Sequence, residues 1–162
     1  MKNNIKDFNK PKGNSRFHQG YYIPKNAEKY VGDPTKIIYR SLWEKKFMVW
    51  LDTTDYITEW SSEGLSVKYW NEVDNKIHTY YPDFHFVSNK DNNIVKYIVE
   101  VKPHSMLSKP RYPARENAAS LARYKARLDN YIKIACKTKA IKRWCNENGF
   151  KFVFLSEKSN LV

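Results

Sequence analysis

The stretch from Tyr80 to Pro103 limits the possible folds of this chain more than any other. In its middle lies a polar run rich in turn-forming residues, Ser88–Asn93, and β-branched and aromatic residues flank that run on both sides. Such a pattern is typical of a β-hairpin. The sequence therefore predicts two antiparallel strands that lie side by side, and the rest of the chain has to cover them.

The predicted hairpin brings two acidic residues together. If the turn is centred near Lys90 and Asp91, the residue opposite Asp83 is Ile98. Glu100 is then a diagonal neighbour of Asp83, and the two side chains are expected to lie within roughly 7 Å of each other. We therefore expect a pair of carboxylates near the ends of neighbouring strands.

A lysine joins this pair, since side chains alternate between the two faces of a strand and Glu100 and Lys102 share one face. Paired carboxylates are suited to hold Mg²⁺, which prefers oxygen ligands and activates water, and we expect Mn²⁺ to substitute for it. The lysine would supply positive charge where negative charge develops on a phosphate. The alternative is that Glu100 and Lys102 form a solvated strand face and Asp83 only starts a turn.

The charge of the chain is unevenly distributed along its length. The formal net charge is +12, with eight basic and three acidic residues in Met1–Lys36 and twelve against three in Pro103–Lys151. The central block, Ile37–Lys102, has eight basic and ten acidic residues. Basic flanks around an acidic centre suit a metal-dependent nuclease that grips the phosphate backbone of DNA. Surplus lysine that only keeps the protein soluble is the alternative for any single patch.

The length of 162 residues suits one domain with a single core. Residues 1–33 are basic, with scattered Pro and Gly and no periodicity, and we interpret them as a weakly structured arm before a domain over 34–162. The chain has no apolar run long enough to span a membrane, and its N-terminus lacks the apolar centre of a signal peptide. We therefore expect a protein that is neither secreted nor inserted in a membrane.

The first helix is predicted from about residue 34 to Leu51. On a helical wheel, Glu44 lies on the same apolar face as Ile37 and Phe47. A carboxylate is rarely buried without a partner, because removing its charge from water costs several kcal/mol. A salt bridge to Arg40, one turn earlier, is the structural explanation for this glutamate.

The remaining segments predict a mixed α/β chain with the order helix, three-stranded antiparallel meander, helix or helices, and strand. The strands of the meander are predicted near Leu65–Trp70, over Ile77–Val87 with Asp83 inside it, and up to Lys102. A helix follows from Arg115 or Glu116 to Cys136, continues or restarts over Lys137–Asn148, and precedes a final strand over Phe150–Leu155.

Basic residues follow the predicted site directly in the chain. The loop Ser105–Pro113 and the helix after it carry six of them that we predict to contact DNA phosphates, although such loops are also often basic without a function. These residues are Lys109, Arg111, Arg115, Arg123, Lys125 and Arg127.

Two short motifs carry a family resemblance. Pro82-Asp83, followed by Glu100-Val101-Lys102, resembles the signature of the PD-(D/E)xK nuclease superfamily, which includes restriction enzymes and junction resolvases. Longer strings are similar to the head completion nucleases of T-even-type tailed phages. These strings are Gly32–Ser41, Trp43-Glu44, Glu59–Glu63, Tyr81–Phe84 and Val99–Pro103.

The resemblance implies a restriction-endonuclease-like core and a Mg²⁺-dependent DNA endonuclease that acts at virion maturation, after DNA packaging. It implies that Glu44, Asp83 and Glu100 bind the metal, that the Val101 carbonyl adds a ligand, and that Lys102 orients water or steadies the phosphate. DNA and phage capsid or portal and neck proteins would be its partners, in the virion and the host cytoplasm. Two alternatives stay open: a junction-resolving or transposon-end nuclease on the same scaffold, and a structural neck or portal-vertex protein with a vestigial site.

Overall fold

The structure is a computed structural model that describes residues 19–159. The contacts within the chain group it into two compact units, one made of residues 19–64 and 84–96 and the other of residues 65–83 and 97–159. Residues 1–18 of the predicted arm lie outside the described residues. The predicted boundary between arm and domain after residue 33 stays a prediction.

In the first unit, helix α1 spans Leu42–Thr53 and begins later than the sequence pattern predicts. Ser41 caps it, because the Ser41 hydroxyl accepts a hydrogen bond from the Glu44 amide at 3.1 Å. The predicted start near residue 34 is wrong, since Asp33 folds a local turn with its carboxylate bound to the amide and hydroxyl of Thr35. Between this turn and α1, strand β2 (Ile38–Tyr39) pairs with β1 (Gly20–Tyr21).

Helix α1 packs on two antiparallel strands of the same unit, β3 (Ile57–Ser62) and β6 (Phe84–Lys90). The ring of Phe47 on α1 contacts the ring of Phe84 on β6 at 5.1 Å in an edge-to-face arrangement. β3 is absent from the sequence prediction, although its buried Ile57 and Trp60 match the composition of a strand.

The predicted hairpin is confirmed, with a shifted turn. Asp91 and Asn92 have φ angles of 54° and 61° and form a two-residue loop between β6 and β7 (Asn93–Val101). Such loops require positive φ, which Asn and Asp tolerate, and they match the twist of the strands. Since this loop is centred one residue later than predicted, the residue opposite Asp83 on the neighbouring strand is Glu100 rather than Ile98. Within the first unit the strand order is β3-β6-β7.

The second unit contains the end of β7, which neighbours β8 (Phe150–Leu155), and a separate antiparallel hairpin. This hairpin consists of β4 (Val67–Asn71) and β5 (Lys76–Tyr80). The single predicted strand over Ile77–Val87 is therefore wrong, because the chain leaves β5 at Tyr80 and enters β6 only at Phe84. Pro82 lies in this break, and proline has no N–H to donate to a strand ladder.

The long C-terminal helix of the second unit is continuous. Helix α2 spans Ala118–Asn148, so the two helical segments of the prediction form one helix. Its first turn is capped by Asn117, whose side chain accepts a hydrogen bond from the Ser120 amide at 2.8 Å. Its end is at Gly149, which has a φ of 73° and confirms the predicted C-terminal glycine.

The buried residues of α2, Ile141 and Cys145, lie in its C-terminal half. They pack in one hydrophobic cluster with Tyr69 of β4, Tyr80 of β5 and Ile98 of β7. The chain is thus a mixed α/β protein with the predicted order of helix, strands, helix and strand, consistent with a restriction-endonuclease-like core. Neither α1 nor α2, nor any other helix in residues 19–159, has the length and apolarity needed to cross a membrane.

Candidate functional site

Asp83 lies in the short link between β5 and β6, at the edge of the second unit that also holds the end of β7. Its carboxylate oxygen Oδ2 accepts a hydrogen bond from the Val101 amide at 2.7 Å. The buried Pro82 before it restricts the backbone of the link. Asp83 is therefore held at the end of β7 by a main-chain contact rather than by a place in a strand.

The side chain of Lys102 joins the two predicted acids. Its ammonium group lies 2.8 Å from Glu100 Oε1 and 3.8 Å from Asp83 Oδ2. The same group donates a hydrogen bond to the main-chain carbonyl of Val101 at 3.1 Å. The structure thus brings together four residues that the sequence and the resemblance single out, and three of their oxygens face one positive charge.

Tyr80, at the end of β5, completes this cluster. Its hydroxyl donates a hydrogen bond to Glu100 Oε2 at 2.5 Å, and the two residues are 3 % and 5 % exposed. Burial raises the pKa of Tyr80, and the negative charge of Glu100 raises it further, so the phenol stays a donor. The sequence pattern predicts Tyr80 only as a core residue, since alternation in a strand does not show which hydroxyl faces an acid.

The ring of Tyr80 is fixed by its surroundings within the second unit. It packs in the hydrophobic cluster with Ile98 and Tyr69. The Lys137 ammonium of α2 lies 5.1 Å from the centroid of the ring, at the distance of a cation–π contact. Tyr80 therefore holds one oxygen of Glu100 in place and leaves the other directed at Lys102.

The donor set fits a hard divalent cation. Within residues 19–159 there is no cluster of three His, Cys, Asp or Glu side chains placed to hold a metal ion. Two carboxylates and one carbonyl nevertheless converge on the ammonium of Lys102, and all three ligand atoms are oxygens. Mg²⁺ keeps several waters and is typically bound through one or two protein carboxylates. Asp83, Glu100 and the Val101 carbonyl therefore suit such an ion.

The third predicted acid, Glu44, belongs to the first unit. It is at the third position of α1, where Oε1 accepts from the Ser41 hydroxyl at 2.9 Å and Oε2 from the Arg40 amide at 2.7 Å. The helical-wheel argument for Glu44 is wrong in part, because Ile37 and Arg40 precede the helix. The guanidinium of Arg40 pairs with Glu63. The role of Glu44 as a metal ligand stays a prediction.

The predicted DNA-contacting residues all lie in the second unit, and they fall into two groups. Arg111, Arg123 and Arg127 line one cavity beside the N-terminal half of α2. The other three are exposed, and the ammonium of one of them, Lys125, pairs with Asp129 at 2.7 Å. Their contact with DNA stays a prediction.

Comparison with known proteins gives two matches. Residues 54–157 match the family model described as the TnsA-like endonuclease N terminal. The chain is also 34 % identical over 140 residues to the head completion nuclease of Enterobacteria phage T4, a match that covers 86 % of this chain and 91 % of the phage protein. No solved structure matches the chain. The range matched by the family model includes Asp83, Glu100, Val101 and Lys102.

Proposed function

Because the chain belongs to the family of TnsA-like endonuclease N-terminal domains, we propose that it is a Mg²⁺-dependent DNA endonuclease that hydrolyses phosphodiester bonds. One observation carries this proposal: Glu100 Oε1, Asp83 Oδ2 and the Val101 carbonyl converge on a single positive charge. Three oxygens that attract one cation are the donor set that metal-dependent phosphoryl chemistry requires.

In the proposed mechanism, Asp83, Glu100 and the Val101 carbonyl would hold the ion. A bound Mg²⁺ would supply a Lewis acid that polarises the scissile phosphate and lowers the pKa of a water. Lys102 contributes a positive charge within reach of the same oxygens, where it stabilises negative charge that develops on the phosphate. Tyr80 fixes Glu100 through Oε2, so that Oε1 keeps its direction.

The DNA backbone would be bound by the basic residues that follow the site. The loop after Lys102 and the N-terminal half of α2 carry the six basic residues predicted from the sequence. Each neutralised phosphate releases counterions, so binding through such residues weakens steeply as salt is added. No base-reading module is recognisable in the sequence, and we expect little sequence specificity.

We propose that the biological substrate is packaged or protruding phage DNA at virion maturation, in contact with capsid or portal and neck proteins. The similarity to the head completion nuclease of phage T4 over most of both chains supports this role. A transposon-end or junction-resolving nuclease is a second candidate, which the match to the TnsA-like endonuclease model favours. A structural neck protein with a vestigial site is disfavoured, because Asp83, Glu100 and Lys102 are all present and the Lys102 ammonium pairs with both acids.

The test is a cleavage assay with the full chain on linear, four-way-branched and single-stranded DNA, with Mg²⁺ or with EDTA. We expect cleavage with Mg²⁺ only, and Asp83→Ala should reduce it at least about 1,000-fold while DNA binding persists. Asp55→Ala, which removes an exposed acid from the first unit, is the control and should cleave normally. Equal cleavage by the wild type and Asp83→Ala would contradict the proposal, and a preference for four-way junctions would favour the second candidate.

A further inference from the structure

A concave groove beside the N-terminal half of α2 is lined by three arginines. Its volume is about 330 Å³. The loop before α2 forms one wall and the first turns of the helix form the other. The residues of this groove, which we call the arginine groove, are Arg111, Pro113, Ser120, Arg123, Tyr124 and Arg127.

The three arginines of the groove form no ion pair among residues 19–159, unlike Lys125 and Arg143 of α2. Lys125 pairs with Asp129, and Arg143 pairs with Glu147. Within residues 19–159, none of the ion pairs involves Arg111, Arg123 or Arg127. Three guanidinium groups around one small cavity repel each other, so an anion that enters the groove removes an unfavourable interaction.

The groove also contains an aromatic ring. Tyr124 lines it and is half-buried, and its ring meets the ring of Tyr112 edge-on at 5.1 Å and 72°. Tyr112 is 58 % exposed, so this aromatic pair is accessible from solvent. An aromatic ring beside arginines is the combination that proteins use to stack a base and hold its phosphates.

We propose that the arginine groove binds an unpaired nucleotide of a single-stranded DNA overhang, with the base on Tyr124 and the flanking phosphates on Arg111, Arg123 and Arg127. This inference rests on the proposed function, since it names the form of DNA that the same protein binds. A base in a duplex is stacked and paired, so it offers no face to Tyr124, whereas an unpaired base does.

A second cavity continues the groove. It has a volume of about 350 Å³ and shares Arg127 with the first, and Met106 and Tyr131 give it an apolar lining. From Ser120 to Tyr131 the two cavities follow roughly 16 Å of α2, given the rise of an α-helix per residue. Two successive nucleotides of one strand can therefore occupy the two cavities.

One residue that lines the second cavity is close in sequence to the candidate active site. Ser105 lines the second cavity and is three residues after Lys102. An extended chain spans at most about 3.6 Å per residue, so the two Cα atoms are separated by at most roughly 11 Å. The second cavity therefore lies close to Lys102 and the candidate active site.

The experiment measures the affinity of the full chain, in EDTA, for a blunt duplex and for the same duplex with a three-nucleotide overhang. We expect the overhang substrate to bind about tenfold more tightly at equal salt. Tyr124→Ala should remove this preference without changing the salt slope, and Arg127→Gln should reduce the slope by about one unit. Trp70→Ala, which removes an exposed aromatic ring elsewhere in the second unit, and Lys133→Gln on the same helix are the controls and should leave the overhang preference unchanged.

Each outcome decides between the alternatives. If the blunt and overhang duplexes bind equally while both are cleaved with Mg²⁺, the inference fails and the proposed function stands. If the overhang preference depends on Tyr124 but no cleavage occurs, the proposed endonuclease function fails, and nucleotide binding by the arginine groove is supported. If Tyr124→Ala does not fold, Tyr112→Ala should still weaken overhang binding several-fold, and an unchanged affinity in that variant would overturn the inference.

Discussion

Asp52 and Glu100 are both buried carboxylates, one in each unit, yet their hydrogen-bond partners differ in kind. Asp52 is fully buried at the end of α1. Its carboxylate accepts hydrogen bonds from the Tyr22 hydroxyl at 2.9 Å and from the main-chain amides of Lys25 and Asn26 at 2.7 and 2.9 Å. Two of its three donors are thus fixed parts of the backbone.

Glu100 has two donors, and both are side chains. The Tyr80 hydroxyl binds one oxygen, and the Lys102 ammonium binds the other. A lysine side chain has four rotatable bonds and can move aside for another cation, whereas the amides that hold Asp52 cannot move without unfolding the segment. Donor type, rather than burial alone, therefore distinguishes a carboxylate that is fixed by the backbone from one whose charged partner can be exchanged.

The largest expected effect concerns Asp52. Asp52→Ala leaves the Tyr22 hydroxyl and the Lys25 and Asn26 amides without their acceptor, and hydrogen bonds to a charged group contribute about 1.5–3 kcal/mol each. We expect the free energy of unfolding to fall by roughly 3–5 kcal/mol in urea titrations. Asp55→Ala, an exposed neighbour, should change it by less than about 0.5 kcal/mol. An Asp52→Ala variant that unfolds like the wild type would contradict the claim that Asp52 stabilises the fold.

Tyr80→Phe should weaken both metal binding and stability. The ring stays in the core, but Glu100 Oε2 loses its donor, and loss of such an outer contact typically reduces metal affinity or activity 10–100-fold. Mn²⁺ affinity and cleavage should therefore fall together, and the melting temperature should fall as well, because a buried carboxylate loses a hydrogen bond. A variant with normal Mn²⁺ affinity would show that Tyr80 only packs.

The acid dependence of stability offers a smaller effect. Burial raises the pKa of Asp52, but the amide hydrogen bonds from Lys25 and Asn26 outweigh it, so its pKa lies below the ordinary value of about 3.9. Asp52 thus stabilises the protein above pH ~4, and this contribution is lost as the pH falls through its folded-state pKa. Urea unfolding at a series of pH values should show a steeper loss below pH ~4 for the wild type than for Asp52→Asn. Parallel curves would contradict this.

The smallest expected effect is on the stability of α1. Glu44→Gln keeps an acceptor near the Ser41 hydroxyl, so we expect a loss of about 0.5–1 kcal/mol. Ser41→Ala is the matched control, because it removes the partner of the Glu44 side chain and leaves the carboxylate intact. If Glu44 binds metal as the resemblance implies, only Glu44→Gln should also lose cleavage activity and the rise in melting temperature with Mg²⁺. Normal cleavage by both variants would restrict Glu44 to capping the helix.

The sequence could predict the hairpin and the grouping of Asp83, Glu100 and Lys102 because their signals are local. Pro82-Asp83, the polar turn and Glu100-Val101-Lys102 are short patterns with a defined strand geometry, which brings the two acids and the lysine together. The one-residue error in the turn arose because several neighbouring Asn and Asp residues tolerate positive φ equally well.

Other features depend on partners that are distant in the chain and therefore have no local signal. The bond from Tyr80 to Glu100 joins residues twenty positions apart, and Tyr22 and Asp52 are thirty apart. The predicted start of α1 is wrong although both possible starts have a local signal. Asp33-Pro34 is a good helix start, but Ser41 provides a better-placed cap for the apolar face, and the helix begins there.

The most direct test of the account is a calorimetric titration of the full chain with Mn²⁺, without DNA, for the wild type, Glu100→Gln and Glu59→Gln. Glu100→Gln keeps an acceptor for Tyr80 but removes a charged ligand, whereas Glu59 is an exposed acid on β3. If Glu100 is a metal ligand, the Kd for Mn²⁺ should rise at least about tenfold in Glu100→Gln and stay unchanged in Glu59→Gln. Equal Kd values for all three proteins would contradict the claim that Glu100 belongs to a metal site.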